Sequence, residues 1–280
     1  MKFDSNRAWQ DAMAFVRANR QVLVPLAGVF FFLPTLLSTV FLNDVQTRML
    51  EAMGKAEIVE RIFSENTGLF LTLGIGGLLV QCIGYLAAMA LLSDNGRPTV
   101  GEAIMAALRG LPTLIGAGLL GMAGMFALSL GLGVVAGGLL GMAIGPVAAS
   151  GIVVIALIVI TFYLAVKLSL VVPVVIIEGV MNPVAAMVRS WRLTQHNSLR
   201  IFGFFLLLGI GYVAIAFVTT IVLVGPVALL AGEGKVLTLF TGVVSGAVGA
   251  VASVVLTAVL ADTHRQLAGP SDVAIEKTFE

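Results

Sequence analysis

The sequence predicts an all-α membrane protein: six transmembrane helices as three hairpins, each preceded by a cytoplasmic interfacial amphipathic helix. Three observations predict it. Mean hydropathy is +1.07, with 59% of residues hydrophobic and only 11% charged. The apolar residues gather into runs of about 20 or more, the length at which a helix rising about 1.5 Å per residue crosses roughly 30 Å of hydrocarbon. The few charges fall almost entirely in short stretches between those runs. In lipid only helices and closed barrels satisfy the backbone, and these runs lack the alternation of barrel strands. Helices are therefore expected.

The first amphipathic segment is Ser5–Arg20, with Trp9, Ala12, Met13 and Val16 on one helical face and Arg7, Gln10 and Arg17 on another. It leads into span one, Gln21–Leu42. That run is too long for the apolar core of a signal peptide and has no small-residue cleavage site after it, so it reads as an uncleaved span. The connection Asn43–Asn66 carries Asp44, Glu51, Glu57, Glu60 and Glu65 and is the most acidic part of the chain. Span two is Thr67–Leu92.

The second amphipathic segment, Pro98–Leu111, opens on Thr99 with Glu102 three residues on, the pattern of a capping box. Val100, Ile104, Met105, Leu108 and Leu111 follow helical spacing. Span three is Pro112–Gly133, and the Gly-rich piece Val134–Pro146 either extends it or dips back into the membrane. Span four is Val147–Val172, with Pro173 expected to bend the helix just beyond it. The third amphipathic segment, Asn182–Arg192, has Asn182 as N-cap and Pro183 at the first helical position. Its Val184, Met187, Val188 and Trp191 fall at i, i+3, i+4 and i+7.

Spans five and six are Ile201–Ala231 and Val236–Ala261. The whole chain reads as one polytopic domain, with 1–92, 93–172 and 178–262 as hairpin repeats and 263–280 as a cytoplasmic tail whose end, Ser271–Glu280, is loose. Neither Asn43–Asn66 nor Glu178–Arg200 is long enough to bury a core of its own.

Orientation follows from the basic residues. With both termini inside, Lys2, Arg7, Arg17, Arg20, Arg97, Arg109, Arg189, Arg192, Arg200, Arg265 and Lys277 are cytoplasmic. Only Arg48, Lys55, Arg61 and Lys235 are then outside, which the positive-inside rule favours.

Several function classes lose their footing. A net charge of +1 gives no long-range attraction to nucleic acid. The single cysteine, Cys82, excludes an intramolecular disulfide and any multi-cysteine metal site. His196 and His264, the only histidines, make no metal spacing with it, and no nucleophile or paired carboxylates stand at a catalytic spacing. No enzyme, metal or cofactor is expected.

Lys167 is the one charge inside a span, where insertion scales put its cost at about 3 kcal/mol. A helical side chain leans toward its own N-terminus, here the bilayer middle, which favours a partner over escape to the cytoplasm. The readings open are a lysine meeting lipid phosphate, an interior partner, or a binding or transport cavity. Glu178 lies eleven residues on, roughly 16 Å away along a straight helix and too far to pair directly. Arg189, Trp191 and Arg192 suit a lipid-headgroup site involving Glu178, since Trp prefers the headgroup level and Arg grips phosphate with paired bonds. The alternative is a structural ion pair of Glu178 with Arg189. Gly133, Gly137, Gly141 and Gly145 recur every fourth residue, and Gly242 and Gly246 with Ala250 repeat the spacing, as helix-packing faces do. Gln81 with Tyr85 and Thr219 with Thr220 are read as interhelical hydrogen-bonding residues.

The stretch KLSLVVPVVIIEGVMNPVAAMVRSWRLTQHNSLR over Lys167–Arg200 resembles the signature of bacterial integral membrane proteins akin to the membrane domain of glycerophosphoryl diester phosphodiesterases. The positions that carry it are Lys167, Pro173, Glu178, Ala185 or Ala186, Arg189, Ser190, Trp191, Leu193 and Thr194, with GRPTVGEAI upstream also similar. The resemblance implies a fold and a bacterial inner-membrane location more than an activity. A phosphodiesterase would need a soluble catalytic barrel of roughly 250 residues, for which the chain has no room. The expected function is therefore a non-enzymatic membrane protein that binds or organises lipid, with anionic headgroups as partners, or that supports a membrane complex or homo-oligomer. The alternative is a small transporter or channel with a cavity near Lys167.

Overall fold

The structure, a computed structural model, describes residues 3–93, 98–232 and 234–269. Lys2, Arg97, Lys277 and the tail segment Ser271–Glu280 lie outside the described residues. No strand occurs among those described, and six helices are long and apolar enough to cross a membrane. The chain is an all-α, multi-pass membrane protein.

Helix α1 (Ser5–Ala18) starts on Asp4, whose carboxylate accepts the backbone N–H of Asn6 at 2.9 Å and of Arg7 at 3.1 Å. This caps two orphan donors of the first turn. Ala8 and Ala12 are buried on one side, while Trp9 is exposed. Helix α2 (Arg20–Glu51) contains a π turn at Gly28–Phe32, just before Pro34, a residue with no N–H for the ladder. It runs past Leu42 to Glu51, and α3 (Ala56–Glu65) follows. The stretch expected as a connection, Asn43–Asn66, is thus largely helical. Val45, Met49 and Ala52, at i, i+4 and i+7, close a small apolar cluster with Val59, Ile62 and Phe70. Amphipathic spacing within an acidic segment is what makes that cluster possible.

Helix α4 (Thr67–Leu91) buries Leu86, Ala87, Ala88 and Met89 completely. Helix α5 (Val100–Val135) opens with the expected capping box: Thr99 N–H donates to Glu102 Oε2 at 2.8 Å, and Glu102 N–H to Thr99 Oγ1 at 3.3 Å. The separate amphipathic helix expected over Pro98–Leu111 is instead the first part of this continuous helix. Pro112 removes one rung of the ladder, and the neighbouring rungs carry the helix through. The helix continues as a π turn, Ala136–Leu140, and a last turn, Gly141–Ile144. Of the piece Val134–Pro146, the residues up to Ile144 therefore extend the helix of span three. The chain reverses at Gly145, where φ is 85° and a side chain would be strained.

Span four is broken in two, as α6 (Pro146–Leu168) and α7 (Val171–Ile176). Pro173 cannot donate to the Ser169 carbonyl four residues back, and the interruption falls at Ser169 and Leu170. After a turn through Gly179, at φ 69°, α8 (Pro183–Leu193) begins with Pro183 at its first turn and the Asn182 side chain accepting Ala185 N–H at 3.1 Å. Helix α9 (Ser198–Ala231) and helix α10 (Lys235–Ala268) complete the chain. Residues up to Ala268 are helical, and Asp262, Thr263 and His264 are buried. The first part of the expected tail is therefore the end of a packed helix.

The chain divides into two compact units. One takes the residues up to Ala8, Arg109–Leu206 and those from Leu260 on; the other takes Trp9–Leu108 and Leu207–Val259. The divisions fall within helices, so the packing units do not coincide with 1–92, 93–172 and 178–262. The first unit is centred on Leu170, Val174, Val175 and Ala186, all fully buried. In the second, an added Cβ at Gly246 would lie 2.9 Å from the Phe32 ring, and one at Gly242 the same distance from Leu36. Those two glycines are contact points between α2 and α10. Gly133, Gly137 and Gly145 have no such neighbour within 4 Å, and Gly141 meets only the Ala136 carbonyl of the preceding π turn. The every-fourth spacing there marks no contact with another helix among the described residues, because those positions face open space.

Candidate functional site

The first unit gathers the residues singled out between Lys167 and Arg192. The clasp that holds them is Ser190, completely buried on α8. Its hydroxyl donates to the Lys167 carbonyl at 2.7 Å and accepts Leu170 N–H at 3.2 Å. One side chain thus replaces backbone partners lost where span four breaks. Ala186, Ser190 and Leu193, at i, i+4 and i+7, form the buried face of α8. Of the apolar stripe predicted from spacing, Met187 packs against this buried core, while the other three residues are exposed. Val184 is 55% exposed, Val188 43% and Trp191 38%.

Lys167 is buried, at 4% exposure. Its ammonium stands 5.6 Å from the centre of the Tyr163 ring and 5.2 Å from that of Trp191. Tyr163 lies one turn toward the N-terminus, the direction in which a helical side chain leans. The two rings meet edge to face, with centroids 5.6 Å apart. Two cation–π contacts of about 0.5–2 kcal/mol each offset much of the insertion cost. They satisfy none of the three N–H donors of the ammonium, and no described residue forms an ion pair with it.

Glu178 is occupied elsewhere. Arg189 Nε donates to both its oxygens, at 2.8 and 3.1 Å, and Nη2 adds a bond of 3.0 Å to Oε1. His264 Nε2 lies 2.9 Å from the same Oε1. With the proton on Nε2 the ring donates to the carboxylate; the other tautomer would set a lone pair against it. His264 Nδ1 is buried and has no hydrogen-bond partner, which a bare lone pair tolerates better than an orphaned N–H. Burial pushes the Glu178 carboxyl up, but Arg189 and His264 outweigh it and hold the group below the usual carboxylate range. The bond from Glu178 in turn raises the Arg189 guanidinium above its ordinary value.

The ion-pair reading of Glu178 and Arg189 is therefore what the side chains do, and Lys167 belongs to a separate aromatic cluster. The side chain of Arg192, exposed at the end of α8, forms no hydrogen bond or ion pair with a described residue. Tyr163, Ser190 and His264 complete the arrangement and were not singled out for these roles. Tyr163 could have been found from its i−4 spacing to Lys167, and His264 from the DTHRQ cluster closing an apolar run. In the second unit Tyr85 donates to Ser253 at 3.1 Å, the kind of interhelical bond its position suggested. Thr220 instead bonds its own helix, at the Ala216 carbonyl.

Comparison with known proteins adds no relative to these observations: no family model matches the chain, and no curated protein or solved structure matches it significantly.

Proposed function

We propose that this is a non-enzymatic protein of the bacterial inner membrane, with both termini cytoplasmic, that binds or organises phospholipid through its headgroups. The observation that carries the reading is Lys167: a side chain buried along its length whose ammonium, framed by Tyr163 and Trp191, has its N–H donors unmet by protein. A lipid phosphate is the acceptor that a membrane supplies at the level where Trp and Tyr concentrate. The outward stripe Val184, Val188 and Trp191, with Arg192 beside it, suits a helix lying in the interface. The basic residues of the three entry segments support the orientation. In this reading the Lys167–Thr194 stretch, in which the chain resembles the phosphodiesterase-associated membrane domains, is a structural signature. Its serine mends a broken span and its glutamate and arginine close the turn. Anionic phospholipids are the proposed partners, and a homo-oligomer or a membrane complex is the proposed setting.

Native mass spectrometry of the full chain from mild detergent tests the reading. Phospholipid adducts are expected on the wild type, retained in Lys167→Arg and weakened about tenfold in Lys167→Met, the loss of one charge-assisted contact. Identical adducts in Lys167→Met, with the fold intact by circular dichroism, would overturn it.

A further inference from the structure

We infer that the cleft where α8 turns into α9 is a binding site for a phosphate group carried as a dianionic monoester. The cleft has a volume of about 230 Å³ and is lined by Arg189, Arg192, Gln195, His196 and Asn197, closed by the apolar Leu193 and Leu267. Its chemistry is one-sided. Two guanidinium groups, an imidazole and two amides line it, and among the described residues no carboxylate does. Arg189 holds Glu178 through Nε and Nη2, which leaves Nη1 unspent. Arg192 brings a whole planar fork, the donor geometry that matches phosphate oxygens.

The backbone is shaped for the same purpose. His196 is the one non-glycine residue with a left-handed backbone among those described, at φ 67°. Such a conformation persists only where surrounding structure holds it. Here Thr194 is buried and bonded to the Ser190 carbonyl at 3.1 Å, and Asn197 is buried with its side chain accepting Phe3 N–H at 3.1 Å. The turn therefore presents Gln195 and His196 from a fixed base. Helix α9 starts at Ser198, next to the cleft, and its positive end adds to the field of Arg192, whose charge, unlike that of Arg189, no described carboxylate offsets. A dianion and a monoanion can offer these donors the same three oxygens, but the doubled charge makes each bond to a guanidinium stronger. The ester chain of the ligand would run along Leu193 and Leu267. This site shares no residue with the Lys167 cluster, and the inference does not rest on the lipid reading.

The test is calorimetric, on the full chain in nanodiscs of phosphatidylcholine, with phenyl phosphate as probe and benzenesulfonate as its monoanionic counterpart. Phenyl phosphate is expected to bind at least about tenfold more tightly than benzenesulfonate, with Arg192→Ala and His196→Ala each weakening it about tenfold. Lys167→Met should leave it unchanged, which separates this site from the lysine cluster. Repeating the titration in discs containing phosphatidic acid identifies the source. Competition assigns the cleft to a lipid phosphomonoester and its absence to a soluble one, and both uphold the inference. Equal binding of the sulfonate would overturn it. So would binding retained in the Arg192→Ala, His196→Ala double variant, or neither phenyl phosphate binding nor dependence on phosphatidic acid.

Discussion

Glu178 shows how one carboxylate serves two distant parts of the chain. Its oxygens hold Arg189, eleven residues on, and His264, at the end of the last helix. Because Arg189 and His264 depress its pKa against the opposing effect of burial, the charged form is the one the folded state prefers. The sign follows from linkage. A carboxylate with a lowered folded pKa contributes stability above its unfolded pKa, near 4.3 for Glu, and loses that contribution as pH falls through the folded value. Thermal unfolding in detergent should therefore find wild type more stable than Glu178→Gln at pH near 7, with the gap closing below about pH 4. The Glu178–Arg189 half of this cluster was legible because both residues lie in one short polar stretch. The His264 half was not, because the DTHRQ cluster marks the histidine but nothing local names a partner 86 residues away.

At the scale of the helix, the caps at Thr99 and Asn182 were readable, since each uses a side chain and an N–H within three residues. Helix ends were less so. Helices α2 and α10 continue through charged residues at their ends, because a helix stops where its ladder stops and not where its hydropathy falls. Small residues show the same divide between spacing and context. An added Cβ at Gly84 would lie 2.5 Å from the Phe30 Cβ, which is tied to the backbone and cannot swing away. At Gly137 the same atom meets nothing within 4 Å. Gly84→Ala should cost about 1–3 kcal/mol by overpacking. Gly137→Ala should be neutral or slightly stabilising through helix propensity. Unfolding of both variants in parallel checks the pair. Period alone could not distinguish them, because it reports a face and not what lies opposite.

For the whole molecule, the hydropathy pattern was enough to count six spans, and the structure has six helices of that kind. The pattern of basic residues leads to the proposed orientation, which cysteine labelling can decide. With Cys82 replaced by Ala, a Gln195→Cys variant should resist a membrane-impermeant maleimide in intact spheroplasts and react after lysis. Glu60→Cys should react in both. The grouping into packing units was beyond the sequence. Three similar entry segments suggested three equal hairpins, yet one entry is fused into α5, and the compact units draw on residues far apart in the chain.

The serine clasp has a consequence in time. At a synthesis rate of about 5–20 residues per second, Ser190 leaves the ribosome one to several seconds after the fracture at Leu170 that it mends, 20 residues earlier. For that interval the fourth rod is delivered to the translocon with bare peptide groups beside an embedded charge. Its final seating in the bilayer waits on a segment not yet made.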